Sequence, residues 1–311
     1  MKKIIVTGAT GQIGSELVDE LRKKYGKDQV VAVGHSKPKA GDDNSGPFES
    51  VDVTNKQALD ELVKKHEPDT IFHLVGILSA TGEKNPELAW NVNMGGLKNV
   101  LDISIARGVK HVFWPSSIAA FGPTTPRDFT PQHTILEPTT IYGVTKVAGE
   151  LLCQYYFKKF ALDIRSLRYP GLISYKTPPG GGTTDYAVAI YFDAIKNKTY
   201  DCFVGPDTVL PMMYMADGVR ATIELMEAPA ENIKVRTSYN LTAMSFSAEE
   251  LAESVAKHIP DFVCTYNPDE RQKIADSWPK SIDDSAARAD WGWKHEFDLD
   301  RMTADMLKNV K

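Results

Sequence analysis

Apolar and polar residues alternate along the chain with two different periods. Short, nearly continuous apolar runs occur at KIIVTG (3–8), QVVAVG (29–34), FESV (48–51), TIFHLVG (70–76) and KHVFWPSS (110–117). Between them the spacing changes. Residues 12–24 put Ile13, Leu17, Val18 and Leu21 on one side, and residues 55–66 do the same with Leu59, Leu62 and Val63. A run of four to seven apolar residues reads as a strand buried on both faces, and three-to-four spacing reads as a helix packed along one stripe. Longer helices are predicted over about 86–107 and 140–159, followed by a strand in ALDIRSLRY (161–169). Repeated strand–helix alternation predicts an α/β fold: a doubly wound parallel sheet with helices on both faces.

The pattern loosens after residue 170. PPGGG (178–182) breaks it, because two prolines and three glycines in a row belong in a loop. Helices are predicted near 184–196, 216–227 and 247–258, with strands in VLPMMYM (209–215) and VRTSYNL (235–241). The expected division is a nucleotide-binding part over 1–170, to which about 196–230 returns, and a smaller substrate-binding lobe made of 171–195 and 231–311.

Gly8, Gly11 and Gly14 sit three apart, between the first strand and the first helix. This spacing suits a tight turn, close approach of backbone to a pyrophosphate, and close helix–strand packing. The N–H groups of the helix start then face the phosphates. Small residues that merely permit a turn would look the same locally; the place at the head of an alternating chain favours the dinucleotide reading. An acidic residue at the end of the second strand, the usual ribose partner, is absent. His35 and Ser36 stand there instead, and Lys37 in that loop would favour a 2′-phosphate. Asp52, after the third strand, suits either an adenine contact or a cap on the next helix.

A second set lies further on. Tyr142 and Lys146 are four apart in TTIYGVTKVAGE, hence on one helix face. A nearby ammonium favours the phenolate of a tyrosine, which fits it to accept a hydroxyl proton. Taken alone, such a pair is more often a surface contact. Ser116 and Ser117 end the fifth strand, on the side where parallel sheets bind ligands. Ser117 is the one expected to bond the reacting oxygen, with Ser116 satisfying local backbone.

GATGQIG, the serine after the fifth strand and YGVTK in combination resemble the extended short-chain dehydrogenase/reductase family, also known as the NAD-dependent epimerase/dehydratases, over roughly residues 3–230. The resemblance implies a Rossmann-type fold with NAD as cofactor. It implies catalytic roles for Ser117, Tyr142 and Lys146. It places cofactor contacts at Gly8, Thr10, Gly11, Gln12, Ile13, Gly14, His35, Ser36, Asp52, Val53, Leu74, Gly76, Asn93, Tyr142, Lys146, Tyr169 and Pro170. Three longer segments, 73–83, 169–188 and 276–293, are similar to the short-chain L-threonine 3-dehydrogenases within that family. That similarity implies oxidation of the threonine β-hydroxyl to 2-amino-3-oxobutanoate. Ser79 and Thr184 would hold the amino acid, with Thr81, Gly182, Thr183 and Trp278 as further contacts beside Ser117 and Tyr142. Asp185 suits either the substrate ammonium or the start of the next helix.

Two rivals remain at this level. A nucleotide-sugar 4-epimerase uses the same scaffold, although its diphosphate calls for basic groups that the glycine-rich loop lacks. A non-enzymatic dinucleotide sensor needs the glycine turn without Tyr142 and Lys146. A dehydratase is disfavoured, because Ile118 and Ala119 follow Ser117 where an acidic pair would stand.

The remaining composition narrows the partners. Net charge is −5 and lysines and arginines form no cluster, which argues against nucleic acid. No stretch reaches the roughly 20 apolar residues of a membrane span. The three cysteines are far apart and the histidines scattered, so neither a disulfide framework nor a metal site is expected. A cytoplasmic location is expected. Relatives in the family commonly dimerise through the helices corresponding to 86–107 and 140–159, and a homodimer is expected here.

Overall fold

The computed structural model describes residues 1–35 and 46–310. Strand β1 (Ile4–Thr7) leads into α1 (Gln12–Tyr25), then β2 (Val30–Gly34) and β3 (Phe48–Ser50). Helix α2 (Lys56–His66) precedes β4 (Thr70–His73). Helices α3 (Ser79–Lys84), α4 (Pro86–Trp90) and α5 (Gly96–Arg107) lead to β5 (His111–Ser117). Next come α6 (Ile141–Phe160), β6 (Asp163–Tyr169) and β7 (Gly171–Ile173). Helix α7 (Tyr186–Asn197), β8 (Thr199–Cys202), β9 (Val209–Tyr214) and α8 (Met215–Glu227) follow. The chain finishes with β10 (Tyr239–Asn240), β11 (Met244–Ser247), α9 (Ala248–Ala256), β12 (Val263–Tyr266), α10 (Glu270–Asp276), α11 (Ser285–Trp291) and α12 (Leu299–Asn309).

Seven strands form one sheet in the order β10-β6-β5-β4-β1-β2-β3, and every pairing in it is parallel. Its two faces follow from the two-residue period of a strand. Ile4, Val6, Ala32, Phe72 and Phe113 pack on one side with Leu17, Leu21 and Val219 of α1 and α8. Ile5, Val31, Val33, Ile71 and Val112 pack on the other with Leu59, Leu101 and Cys153 of α2, α5 and α6. A third core gathers α7, α9 and α12 around Tyr186, Tyr191, Leu210, Met302 and Met306. It rests on the sheets β11-β9-β7 and β12-β8.

Pairing shifts the expected boundary between the two parts. Tyr239 and Asn240 join the main sheet beside Leu167 and Arg168, although 231–311 is expected to lie in the smaller lobe. Thr199–Cys202 pairs with Val263–Tyr266 in the lobe, although 196–230 is expected to return to the larger part; α8 does, with Met213 of β9 in the same core. VRTSYNL supplies two strand residues rather than seven, because the backbone N–H groups of Lys234 and Val235 donate to the Tyr239 hydroxyl and turn the chain away. The single helix expected over 86–107 contains a π-helical turn at Asn91–Gly95, where one extra residue per turn rotates the helix face.

Candidate active site

The carboxyl ends of β1, β2, β4 and β5 open on one edge, where α1 begins. Gly8 has φ +76°, and a Cβ there would press Leu74 and Val75 at 3.0 Å. A Cβ on Gly14 would fall 2.1 Å from the Gly8 carbonyl, so α1 can start this close to β1 only without a side chain at that position. The result is a cleft of about 240 Å³ lined by Gly8, Thr10, Gly11, His35, Val53, Leu74 and Gly76. The exposed peptide groups and helix start fit a dinucleotide diphosphate. Asp52 and His35 line the outer end, 3.7 Å apart. The Asp52 carboxylate accepts from the Thr54 N–H and hydroxyl, which holds it below the usual carboxylate range; Asn55, not Asp52, caps α2. Ser36 and Lys37 lie outside the described residues.

Leu74 and Gly76 also line a second cavity of about 140 Å³, so the two spaces adjoin. Gln12, Ile13, Tyr169 and Pro170 border it on the α1 side. The Tyr169 hydroxyl is committed to Thr222 on α8. Ser117, Tyr142 and Lys146 form the floor. The Thr140 hydroxyl accepts from the Gly143 N–H at 3.1 Å and fixes the start of α6 there. One helical turn then separates Tyr142 from Lys146 on the buried side.

Electrostatics at the floor follow from burial. The Tyr142 phenol, hydrogen-bonded to Ser117, is pushed up to about 12 by loss of water. Burial drives the Lys146 ammonium down to about 7, opposed by the nearby Glu150 and Cys153. Lys146 Nζ donates to the Pro115 carbonyl at 2.6 Å and lies 5.2 Å from the centre of the Tyr142 ring. Without another positive charge, this environment holds the phenol neutral at pH 7. The lysine is poised to gain or lose a proton near neutrality.

Hydroxyls border the opposite wall. Ser79 and Thr183, both buried, face each other at 3.3 Å, with Thr184, Gly182 and Trp278 alongside. Trp278 also belongs to the lobe core, so its core and site roles coexist. Asp185 does not cap α7 with its side chain. Its carboxylate accepts from the Gly181 and Gly182 N–H groups at 2.7 and 2.8 Å and so shapes the glycine loop.

Three expected contacts fall outside the cavity wall. Thr81 is exposed on α3 and faces the turn at Gly181. Gly14 lies behind the turn, where its lack of a side chain sets packing. Asn93 acts at one remove: its amide accepts from the Ile77 N–H at 2.7 Å, donates to the Ile77 carbonyl at 3.2 Å and donates to Thr145 at 3.1 Å. Thr145 in turn donates to the Tyr142 carbonyl at 2.7 Å. Asn93 therefore ties the loop carrying Ser79 to the helix carrying Tyr142, and the π turn is what aims it. The Ser116 hydroxyl, expected to satisfy local backbone, turns to a carboxylate instead. It donates to Glu150 at 2.6 Å, and Glu150 forms a bidentate pair with Arg168, both buried. Sequence reasoning missed this pair and the Pro115 carbonyl. The one visible signal was Glu150, four residues after Lys146 on the same helix face.

Known proteins place this architecture. The model of the NAD-dependent epimerase/dehydratase family matches residues 4–241. An uncharacterized epimerase/dehydratase of Staphylococcus saprophyticus is 53% identical over 314 residues, covering 100% of this chain and 98% of the relative. The L-threonine dehydrogenase of Clostridium difficile superposes with TM-score 0.96 at 52% identity, over 100% of this chain and 98% of that one. An L-threonine dehydrogenase from Cupriavidus necator in its holo form does so with TM-score 0.96 at 51% identity, over 99% and 100%. The glycine turn, the Tyr142–Lys146 helix and these full-length likenesses agree: the chain belongs to the NAD-dependent epimerase/dehydratase family, with a Rossmann-type fold and NAD as its cofactor.

Proposed function

We propose that the protein is an L-threonine 3-dehydrogenase, oxidising the β-hydroxyl of L-threonine to give 2-amino-3-oxobutanoate and NADH. The observation that carries this reading is the set of small hydroxyls, Ser79, Thr183 and Thr184, that lines the same cavity as Ser117 and Tyr142. Neutral hydroxyls suit a zwitterion, which presents an acceptor and a donor within a few atoms.

Gly8, Thr10, Gly11, Val53, Leu74 and Gly76 would hold the dinucleotide, with Gln12, Ile13, Tyr169 and Pro170 at its reactive end. NAD+, when bound, supplies the hydride acceptor and a positive charge next to the phenol. Tyr142 accepts the proton of the β-hydroxyl as the carbon–hydrogen bond is lost, and Ser117 hydrogen-bonds the same oxygen. Lys146 adds positive charge that favours the phenolate and passes the proton onward. Ser79, Thr183 and Thr184 orient the amino acid, and Trp278 excludes water from one side.

The full-length likeness to solved L-threonine dehydrogenases supports the substrate. A homodimer is part of the proposal. Val144, Leu151 and Tyr155 are exposed at seven- and four-residue spacing on α6, opposite its catalytic face, with Leu88 and Trp90 of α4 exposed as well. Such an apolar stripe suits a second copy.

The test is absorbance at 340 nm with L-threonine, using NAD+ in one reaction and NADP+ in another. The expected result is a rate with NAD+. Protein that binds NAD+, leaves threonine untouched and interconverts a nucleotide sugar would overturn the reading.

A further inference from the structure

Helix α1 is joined to the strand leading into the substrate loop by three polar contacts at matched spacing. Gln12, Glu16 and Asp19 lie four and three residues apart, on one helix face. Residues 172, 174 and 176 are spaced two apart where the chain leaves β7 and bends. Gln12 Nε2 donates to the Leu172 carbonyl at 3.3 Å, the Ser174 hydroxyl donates to Glu16, and Lys176 Nζ meets Asp19 at 3.3 Å. Ser174 is fully buried and also accepts from the Lys176 N–H at 3.2 Å. Burial raises the Glu16 carboxyl above its ordinary range, with the Ser174 bond acting the other way.

Both ends of this zipper have functional neighbours. Gln12 and Leu172 border the second cavity. Beyond Lys176 the chain enters 177–185, which Asp185 folds back through Gly181 and Gly182, so that Thr183 meets Ser79.

We infer that Glu16 and Ser174 are positioning residues that couple dinucleotide binding at the start of α1 to the order of the substrate loop 177–185. For its substrate arm the inference rests on the threonine reading; its cofactor arm stands apart from it.

The test uses the full-length protein and amide hydrogen exchange over 176–185, with and without saturating NAD+. In wild type, NAD+ slows this exchange. In Glu16→Leu and Ser174→Ala, that slowing falls by about tenfold, the scale of one buried hydrogen bond to a charged group. Glu16→Gln, which keeps an acceptor for Ser174, retains most of it. The KM for L-threonine rises by about tenfold in the first two variants while kcat stays within about twofold, and the double variant is no worse than either single one. Protection unchanged in Glu16→Leu would overturn the coupling. So would absence of any NAD+ effect in wild type, or a loss of kcat and melting temperature with KM fixed. If wild type shows the exchange effect but leaves threonine untouched, the substrate reading fails and the coupling stands.

Discussion

The dinucleotide cradle and the substrate wall border adjoining cavities, yet they are built differently. The cradle is made by backbone within one strand–turn–helix: Gly8, Gly11 and Gly14 create it by what they lack. The wall is made by side chains from segments far apart in sequence, Ser79 with Thr183 and Thr184, and Trp278 behind them. A contiguous motif can specify the first kind of site. The second exists only once the lobe has folded against the sheet. Between them stand Tyr142 and Lys146, contiguous in sequence but given their chemistry by burial.

Tyr142→Phe tests that middle ground and carries the largest expected effect. It removes one hydroxyl from the cavity floor and nothing from the cradle. Turnover of L-threonine should fall by about a thousandfold or more, with NAD+ binding measured by calorimetry essentially kept. Turnover near the wild-type rate would remove Tyr142 as the proposed proton acceptor.

Two glycine substitutions break the cradle in different ways. In Gly14→Ala the new Cβ meets the Gly8 carbonyl at 2.1 Å and the Ala9 Cα at 2.8 Å, both backbone, so α1 must move. Overpacking of this kind costs about 1–3 kcal/mol, enough to lower NAD+ affinity by roughly 10- to 100-fold and to depress the melting temperature. In Gly11→Ala the nearest atom, the Gly8 carbonyl oxygen, lies at 3.3 Å and needs to give by only a few tenths of an ångström, so the melting temperature should fall much less than in Gly14→Ala while NAD+ affinity falls. Equal melting losses in both variants would mean that Gly11 serves packing rather than cofactor approach.

How much of this was legible follows the same division. The glycine turn, the parallel sheet and the Tyr142–Lys146 face are local patterns read from periods of two and 3.6 residues. The Asn93 clamp was half visible: the residue could be named, but the π turn that aims it at Ile77 has no sequence signature of its own. Tyr239–Asn240 looked like part of the lobe because its pairing with Leu167 and Arg168 spans about 70 residues. The buried Glu150–Arg168 pair was hidden although only 18 residues separate its partners, since one lies on α6 and the other on β6 and their contact depends on how the two pack.

On the substrate wall, Ser79→Ala should raise the KM for L-threonine by about tenfold and leave NAD+ affinity unchanged, because a buried hydroxyl of Thr183 loses its partner and the amino acid loses a contact. Thr81→Ala should change neither, since Thr81 is exposed and faces the Gly181 turn. Reversed results would move the amino acid from the Ser79–Thr183 wall to the outer rim.

The smallest expected effect concerns Lys146, where the functional environment should register in the free protein as a pH-dependent stability difference. Its ammonium titrates near 10.4 in an unfolded chain and is driven down to about 7 by burial here. Between those values the unfolded chain holds a proton that the folded chain has shed, so this group makes stability rise with pH across the window. Below pH 7 both forms are protonated and the contribution is flat. Lys146→Met removes the group, and with it the slope. The wild-type melting temperature should therefore gain on that of the variant from pH 7 to about pH 10, by a few degrees in all, at roughly 1 kcal/mol per pH unit or less. The comparison is of slopes, so the constant cost of leaving the Pro115 carbonyl without its donor cancels. Parallel melting curves would mean that Pro115 and Glu150 keep the ammonium charged throughout, making Lys146 a fixed positive charge beside Tyr142 instead of a group that carries the proton away.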